Sequence, residues 1–291
     1  MDHLNKITRP YINDALALTE LSENKKASSY PQLLAIVDIV HLAYAQYEAV
    51  GGNAFAVAPV TLSAQANNYL KGHYKSPVKG LSHINTLRLS QEHLTCPMCG
   101  STHRGTLDHL LPQASHPTFA IFSLNLVPAC KCNSNRNDRL LGDNPGERIL
   151  HPYFDGCLSM RLIRAKFEDL GPVPRISVDL CIPATHPDYA AVSFHVRTVV
   201  KSMPIVGYLN KKWAHLYRKP SLAVRALAAN PRSITALKTL LLTELLQLDD
   251  EHGGKNNWNS MFVAGLLDRP VLTWLFQSLN EPGRKPNARL G

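Results

Sequence analysis

The sequence predicts an α+β protein, mostly helical, with a compact cysteine-rich centre and a small β element in its C-terminal part. Apolar residues recur at helical spacing over 31–49 and again in several segments between 205 and 279. Apolar and polar residues alternate over 176–182 and 192–198, as they do in half-buried strands. Four of the six cysteines lie between residues 94 and 142. These observations together define the predicted fold class.

The helical segments have recognisable ends. Pro31 suits the first turn of a helix, and Gly51-Gly52 predicts a break after it. Ser233 is a predicted N-cap, and Pro270 a predicted start of the final helix. The predicted helices cover residues 31–49, 205–217, 222–229, 234–248 and 271–279.

Composition favours a folded, basic protein. Hydrophobic residues make up 45% of the chain and charged residues 18%, so a sizeable core is expected rather than disorder. The formal net charge of +9 favours an anionic partner, of which nucleic acid is the commonest; a merely basic soluble protein is the alternative. The N-terminus lacks a signal-peptide pattern, and the most apolar early run is interrupted by polar residues. We therefore expect a cytoplasmic protein without a membrane span, whose cysteines stay reduced.

The cysteines form two closely spaced pairs. Cys96 and Cys99 are separated by two residues and followed by Gly100, which suits a tight knuckle turn. Cys130 and Cys132 are separated by one residue. Four thiolates would give a tetrahedral zinc site closed to water, and therefore structural rather than catalytic. Two alternatives remain open: one cysteine of the second pair is only a buried side chain, or a histidine completes a three-cysteine site.

Between the cysteine pairs lies a set of polar residues suited to phosphodiester hydrolysis. A neutral imidazole such as that of His109 can deprotonate water near pH 7. The carboxylate of Asp108 and the amide oxygen of Asn133 are hard ligands suited to Mg²⁺. Asn125 could accept from the second ring nitrogen of His109 and so fix its tautomer. Each residue alone would be read as an ordinary polar or turn residue; their joint placement within the cysteine frame suggests catalysis.

This segment resembles the HNH, or ββα-metal, endonuclease family. The resemblance implies that His109 is the general base, that Asp108 and Asn133 hold a catalytic Mg²⁺ or Mn²⁺, and that Asn125 orients the base. Arg136 stands where the family usually has lysine, which implies a role in holding a phosphate. The implied fold is a zinc-stapled β-hairpin followed by a short helix. The matching residues are, in order, Cys96, Cys99, Asp108, His109, Pro112, Asn125, Leu126, Cys130, Cys132 and Asn133.

The sequence departs from the family pattern at the second cysteine pair, which is one residue shorter than usual. This changes the register of the asparagines that follow. Asn135 is therefore an alternative to Asn133 as the metal ligand.

A second resemblance concerns the flanks of this segment. His116-Pro117, Phe119-Ala120 and the run from His151 to Asp155 are similar to HNH subunits of Septu-type anti-phage systems, some of them carried by retrons. That resemblance implies a partner ATPase of the ABC type. The predicted organisation is a helical region over 1–90, the HNH core over 91–150, and a mainly helical α+β region over 151–291.

Two functions of different classes follow. The first is a metal-dependent HNH endonuclease that acts on DNA, as an effector of bacterial anti-phage defence. The second is a non-catalytic, zinc-stapled module that binds nucleic acid or a partner protein. A scaffold of this second kind requires the cysteines but not Asp108, His109, Asn125 and Asn133. The large helical flanks are expected to be core, or else a surface that docks another protein.

Overall fold

The computed structural model describes residues 7–90, 95–103 and 105–291. Helices account for 48% of the chain and strands for 8%, which agrees with the predicted α+β class. No helix among the described residues has the length and apolar character needed to cross a membrane.

The N-terminal part is helical. Asn13 and Ser63 cap their helices, because each side chain accepts a hydrogen bond from the backbone N–H three residues later. Gly51 and Gly52 both adopt positive φ after the second helix, which confirms the predicted break. The helices are α1 (Asp14–Glu23), α2 (Val37–Ala49), α3 (Ala64–Lys75) and α4 (Ser82–Leu89).

The cysteine-rich segment forms a β-hairpin followed by a short helix. Strand β1 (Thr106–His109) pairs antiparallel with β2 (Leu126–Ala129), and His109 lies opposite Leu126. Helix α5 (Lys131–Asn135) begins directly after Cys130. A two-stranded hairpin is marginal alone, so packing on both sides must hold this one in place.

The C-terminal part combines a second hairpin with helices. Strand β4 (Arg175–Leu180) confirms the alternating pattern there, and its partner β3 (Ile163–Glu168) was not predicted. Ser233 caps its helix as predicted, and Pro270 lies in the first turn of the last one. The helices are α6 (Tyr189–His195), α7 (Ile205–Arg218), α8 (Ile234–Glu251), α9 (Trp258–Leu266) and α10 (Arg269–Leu279).

Two predictions for this part are wrong. The segment 192–198 is not a strand, because α6 continues into a π-helical turn, Val196–Val200. Val192, Phe194 and Val199 are all buried there, so both helical and extended spacing place apolar residues inside. The predicted helix over 222–229 is instead made of short 3₁₀ turns, Pro220–Leu222 and Arg225–Ala228.

Two clusters of buried apolar side chains organise the molecule, and the first hairpin lies between them. Leu107 and Leu126 pack into the cluster formed by α1–α4. Val127, Ala129 and the cysteines pack into the cluster formed by the second hairpin and α6–α10. The hairpin is therefore anchored on both sides, and its turns and strand ends are positioned by both halves of the chain.

Candidate metal centre and adjoining cleft

Cys96, Cys99, Cys130 and Cys132, hereafter the cysteine cluster, come together at one end of the first hairpin. All four side chains are buried, and their sulfur atoms lie within 4.8 Å of one another. The Sγ atoms of Cys96 and Cys132 are 3.6 Å apart, and those of Cys99 and Cys130 are 3.4 Å apart. Tetrahedral coordination with bonds of about 2.3 Å would separate sulfurs by about 3.8 Å. The predicted four-cysteine grouping is therefore formed, and it could bind a structural metal such as zinc.

Local hydrogen bonds favour a thiolate at Cys130, whereas the hydrogen bonds that Cys99 and Cys132 make to Cys130 raise their own pKa values. The backbone N–H of Cys130 donates to Cys96 Sγ, and that of Cys132 donates to Cys130 Sγ. Hydrogen bonds from the thiols of Cys132, Cys96 and Cys99 hold the pKa of Cys130 far below its ordinary range. Gly100 has a φ of 76° and lies against the backbone of Asn256, so the knuckle turn requires glycine there, as predicted. Thiolates are the form in which cysteine binds metal.

An open cleft lies beside the cluster, at the end of β1. Its volume is about 500 Å³, and we call it the Asp108 cleft. Asp108 is half-buried, and its Oδ2 accepts a hydrogen bond of 2.8 Å from Asn133 Nδ2. The cleft is lined by Asp108, His109, Pro112, Gln113, Ala114, Asn133, Ser134, Arg136, Asn137 and Asp138.

The geometry of His109 determines which of its nitrogens can act as a base. Its Nε2 lies 2.9 Å from the carbonyl oxygen of Ala120, which can only accept, so Nε2 carries the proton. In the neutral ring, Nδ1 is then the nitrogen with a free lone pair, and it has no hydrogen bond among the described residues. Burial lowers the pKa of His109 below its usual value of 6.5. The imidazole is therefore neutral at pH 7, as a general base must be.

The two candidate asparagine ligands differ in position. Asn133 contacts Asp108, whereas Asn135 Nδ2 donates to the carbonyl oxygen of Ser202 and points away from the cleft. The geometry therefore favours Asn133. Its amide presents N–H to Asp108 and its Oδ1 to Arg136, so the oxygen would reach a cation only after the amide rotates. The carboxylate oxygens of Asp108 accept from the His109 N–H and from Asn133, and each keeps a second lone pair for a hard cation. Asp138 adds a second carboxylate to the wall of the cleft.

Arg136 does not occupy the position expected of a phosphate-binding side chain. It is only 3% exposed. Its Nε donates to Asn133 Oδ1, and its terminal nitrogens donate to the carbonyl oxygens of Leu110 and Arg139. The guanidinium thus ties α5 to the end of β1 and orients the Asn133 amide. The predicted phosphate contact is replaced by this positioning role.

Asn125 also departs from its predicted contact. Its side chain does not accept from His109, whose Nε2 is taken by Ala120. Instead, Asn125 Oδ1 accepts from the N–H of Leu111, and its Nδ2 donates to the carbonyl oxygens of Leu111 and Phe119. Asn125 therefore closes the loop between the strands. It orients His109 indirectly, by fixing the segment that carries the Ala120 carbonyl.

A buried relay supports Asn125 from both flanks of the hairpin. His151 Nδ1 accepts from the N–H of Tyr153, so its Nε2 carries the proton and donates to the Tyr47 hydroxyl, 3.0 Å away. The hydroxyl in turn donates to Asn125 Oδ1 at 3.2 Å. Gly52 packs directly against His151 and Tyr47, where a larger side chain would collide. The relay joins α2, the hairpin loop and the segment after residue 150.

Sequence reasoning missed two tyrosines of this site. Tyr47 belongs to the apolar pattern over 31–49, which predicts only a packing role, and Tyr74 lies outside the predicted helices. The Tyr74 ring meets the His109 ring edge-on at a centroid distance of 4.3 Å, and its hydroxyl donates to the Leu107 carbonyl. Their residue type is the feature of the sequence that could have indicated this role, because a tyrosine on a buried helix face carries a hydroxyl that needs a hydrogen-bond partner.

Comparisons with known proteins find one partial similarity. The chain is 36% identical to Protein ea31 of Escherichia phage lambda over 68 residues. That region is 23% of this chain and 23% of the phage protein, so most of both chains lies outside it. No family model matches the chain, and no solved structure matches it. The similarity therefore assigns neither a family nor an activity to the chain.

Proposed function

We propose that this chain is an HNH-type endonuclease that hydrolyses phosphodiester bonds of DNA. The observation that carries the proposal is the Asp108 cleft. There a neutral histidine, whose Nδ1 has no hydrogen bond within the described residues, lies beside a carboxylate and an amide. The cysteine cluster supports it by giving this cleft a rigid base, with Zn²⁺ as the structural ion. The net charge of +9 suits a polyanionic substrate.

Each of these residues has a distinct proposed role in the hydrolysis. His109 Nδ1 accepts a proton from water, whose oxygen attacks phosphorus while the bond to the leaving sugar oxygen breaks. Ala120 holds the imidazole in this tautomer through its carbonyl oxygen. Asp108 and Asn133 would hold Mg²⁺ or Mn²⁺, which when bound supplies positive charge against the phosphate. Arg136 and Asn125 position these groups without touching the substrate.

The test is cleavage of supercoiled plasmid with Mg²⁺ or Mn²⁺. A general base contributes roughly 10²- to 10⁴-fold to a rate, so His109→Ala should reduce nicking by that factor while the fold is retained. His215→Ala, on α7 in the other half of the molecule, is the matched control and should nick like the wild type. Nicking by His109→Ala at the wild-type rate would refute the catalytic assignment. Binding without any nicking by the wild type would favour the alternative of a non-catalytic binding module.

The proposal includes a place in anti-phage defence with an ABC-type ATPase as partner. Its support is the resemblance of the segments around His116 and His151 to Septu-type subunits. In this chain the segment around His116 is part of the loop that Asn125 closes, since the Phe119 carbonyl oxygen accepts from Asn125. His151 reaches the same loop through Tyr47, whose hydroxyl donates to Asn125. Co-expression with an ATPase encoded beside it should yield a stable complex on size-exclusion chromatography. Elution of the two proteins separately would remove this part of the proposal and leave the nuclease activity untouched.

A further inference from the structure

Helix α3 presents a basic face next to the hairpin loop. Lys71 and Lys75 are one helical turn apart, and Asn68 precedes them by another turn on the same face. Together with Gly72, Gln113 and Ala114 they line a groove of about 370 Å³, which we call the α3 groove. The opposite side of the helix faces inward, where His73 is buried and bonds to Ser29 at 2.8 Å. The two faces of α3 are therefore clearly divided between core and groove.

The α3 groove adjoins the Asp108 cleft. Gln113 and Ala114 line both concavities, so the two share a wall directly after Pro112. Helix α3 also packs against the 3₁₀ turn Pro117–Phe119 in the same loop. A strand lying in the groove would pass from the lysines over Gln113 and Ala114 to Asp108.

The groove carries uncompensated positive charge. The sequence of α3 contains no aspartate or glutamate, and neither Lys71 nor Lys75 forms an ion pair among the described residues. Lys71 is half-buried and Lys75 is exposed, so both ammonium groups can reach the groove while their stems cover the helix. Gly72 leaves open space between them. The buried Oε1 of Gln113 lacks a hydrogen-bond partner within the described residues.

We infer that the α3 groove holds the phosphodiester backbone of the DNA strand that enters the Asp108 cleft. Cβ atoms four residues apart on a helix are separated by about 5–6 Å, so the two lysines can contact neighbouring phosphates. Such contacts carry no base specificity and set the position of the strand. The inference rests on the proposed nuclease function, and it assigns substrate binding to a helix outside the cysteine-framed segment.

The experiment measures binding of a fluorescein-labelled DNA duplex by anisotropy in buffer without Mg²⁺ or Mn²⁺, over a range of salt concentrations. The test variant is Lys71→Gln/Lys75→Gln. The control is Lys211→Gln/Lys238→Gln, which removes the same charge from exposed positions on α7 and α8. Each lost phosphate contact lowers the slope of log K against log salt by about one. We therefore expect the slope of the test variant to fall by about two, with weaker binding, and that of the control to stay near the wild type.

Cleavage kinetics provide the second readout. Contacts made equally in the ground and transition states change KM and leave kcat unaltered, so the test variant should raise KM alone. His109→Ala should instead lower kcat and bind DNA normally. Equal slopes in wild type and test variant, an equal loss in test and control variants, or no DNA binding by the wild type would each overturn the groove assignment. If the test variant lowers the salt slope for labelled RNA but not for labelled DNA, the assignment of the groove to DNA is wrong. If Lys71→Gln/Lys75→Gln matches the wild type in salt slope and KM while His109→Ala is inactive, the groove assignment fails and the nuclease proposal stands.

Discussion

The cysteine cluster and the Asp108 cleft lie at the same hairpin, yet they are built in opposite ways. The cluster is made of buried sulfur atoms drawn from both ends of the segment, at 96–99 and 130–132. The cleft is made of oxygen and nitrogen atoms at the end of one strand, and it opens to solvent. Sulfur suits a borderline-soft ion held permanently, whereas oxygen suits a hard ion that exchanges and keeps bound water.

The difference teaches where the stability and the chemistry of the hairpin reside. The cluster closes the segment 96–132 into one unit and leaves no position for a substrate. The cleft leaves Asp108 half-buried and Nδ1 of His109 unbonded among the described residues, so it retains capacity to bind. Between them, Arg136 and Asn125 form hydrogen bonds that position Asn133 and the loop of Ala120 beside the cleft. We therefore expect substitutions in the cysteine cluster and the relay to lower the free energy of unfolding more than substitutions in the cleft do.

The largest expected effect is at the cluster. Cys96→Ser would remove one of the four sulfur ligands of the proposed zinc ion and leave three buried thiols without it. Structural zinc in small domains contributes on the order of 10 kcal/mol to folding, so we expect the free energy of unfolding to fall by several kcal/mol. Thermal unfolding and metal analysis measure this, with one zinc per chain expected in the wild type. Cys181→Ser is the control, because Cys181 is exposed and lies outside the cluster. Retention of wild-type stability by Cys96→Ser would refute the staple.

Acid should weaken the relay behind the cleft. Burial lowers the pKa of His151 to about 3, from about 6.5 in the unfolded chain. The unfolded state therefore binds more protons between these values, and stability is lost as pH falls through that range. Between pH 6.5 and pH 4 this amounts to about 3 kcal/mol. Urea unfolding at several pH values measures it. His151→Gln should show a shallower slope over this range, and parallel slopes would contradict the assignment.

A smaller effect is expected where the relay meets Asn125. Tyr47→Phe removes the hydroxyl that links His151 to Asn125 and leaves a buried donor without its partner. Such a loss costs about 1–3 kcal/mol. Because the relay fixes the loop that carries Ala120, the acid limb of the kcat–pH profile should also move toward pH 6.5. Tyr44→Phe is the matched control: Tyr44 is buried on the same helix, and its hydroxyl has no hydrogen-bond partner among the described residues. A shift in both variants, or in neither, would remove Tyr47 from the positioning network.

The sequence predicted the parts of the site that depend on local spacing. The hairpin with its short helix was predicted from the resemblance to the HNH family, and the grouping of the cysteines from their spacing; these features are present in the structure. The positive φ of Gly100 follows in the same way. Local geometry can be predicted because one turn determines it, whatever the rest of the chain does.

The contacts that were wrong depend on distant parts of the chain. Asn125 was expected to bond His109, but Tyr47, 78 residues away, and the loop carbonyls take its hydrogen bonds. Arg136 was expected to face phosphate, but it is buried and donates to the carbonyl oxygens of Leu110 and Arg139. The segment 192–198 is helical although it alternates, because most of its residues are buried and the contrast on which periodicity depends is weak. Each error came from packing that no local window of sequence contains.

The smallest expected effect on stability is at the cleft itself, and it tests the comparison most directly. Asp108→Asn keeps the size of the side chain and an oxygen that can accept from the backbone N–H of His109. We expect the free energy of unfolding to fall by about 1 kcal/mol, since the hydrogen bond from Asn133 is weakened but the group is half-buried and outside both cores.

Function should nevertheless be lost, because the carboxylate that would bind the divalent ion is gone. Calorimetric titration with Mn²⁺ should show no binding by Asp108→Asn, the zinc content should stay at the wild-type value, and plasmid nicking should fall at least 10²-fold. Asp143→Asn, an exposed acid that does not line the cleft, is the control. A variant that loses zinc together with Mn²⁺ would show that the two sites are one coupled unit. A stable, zinc-loaded and inactive protein would show that the hairpin separates its structural ion from its catalytic one.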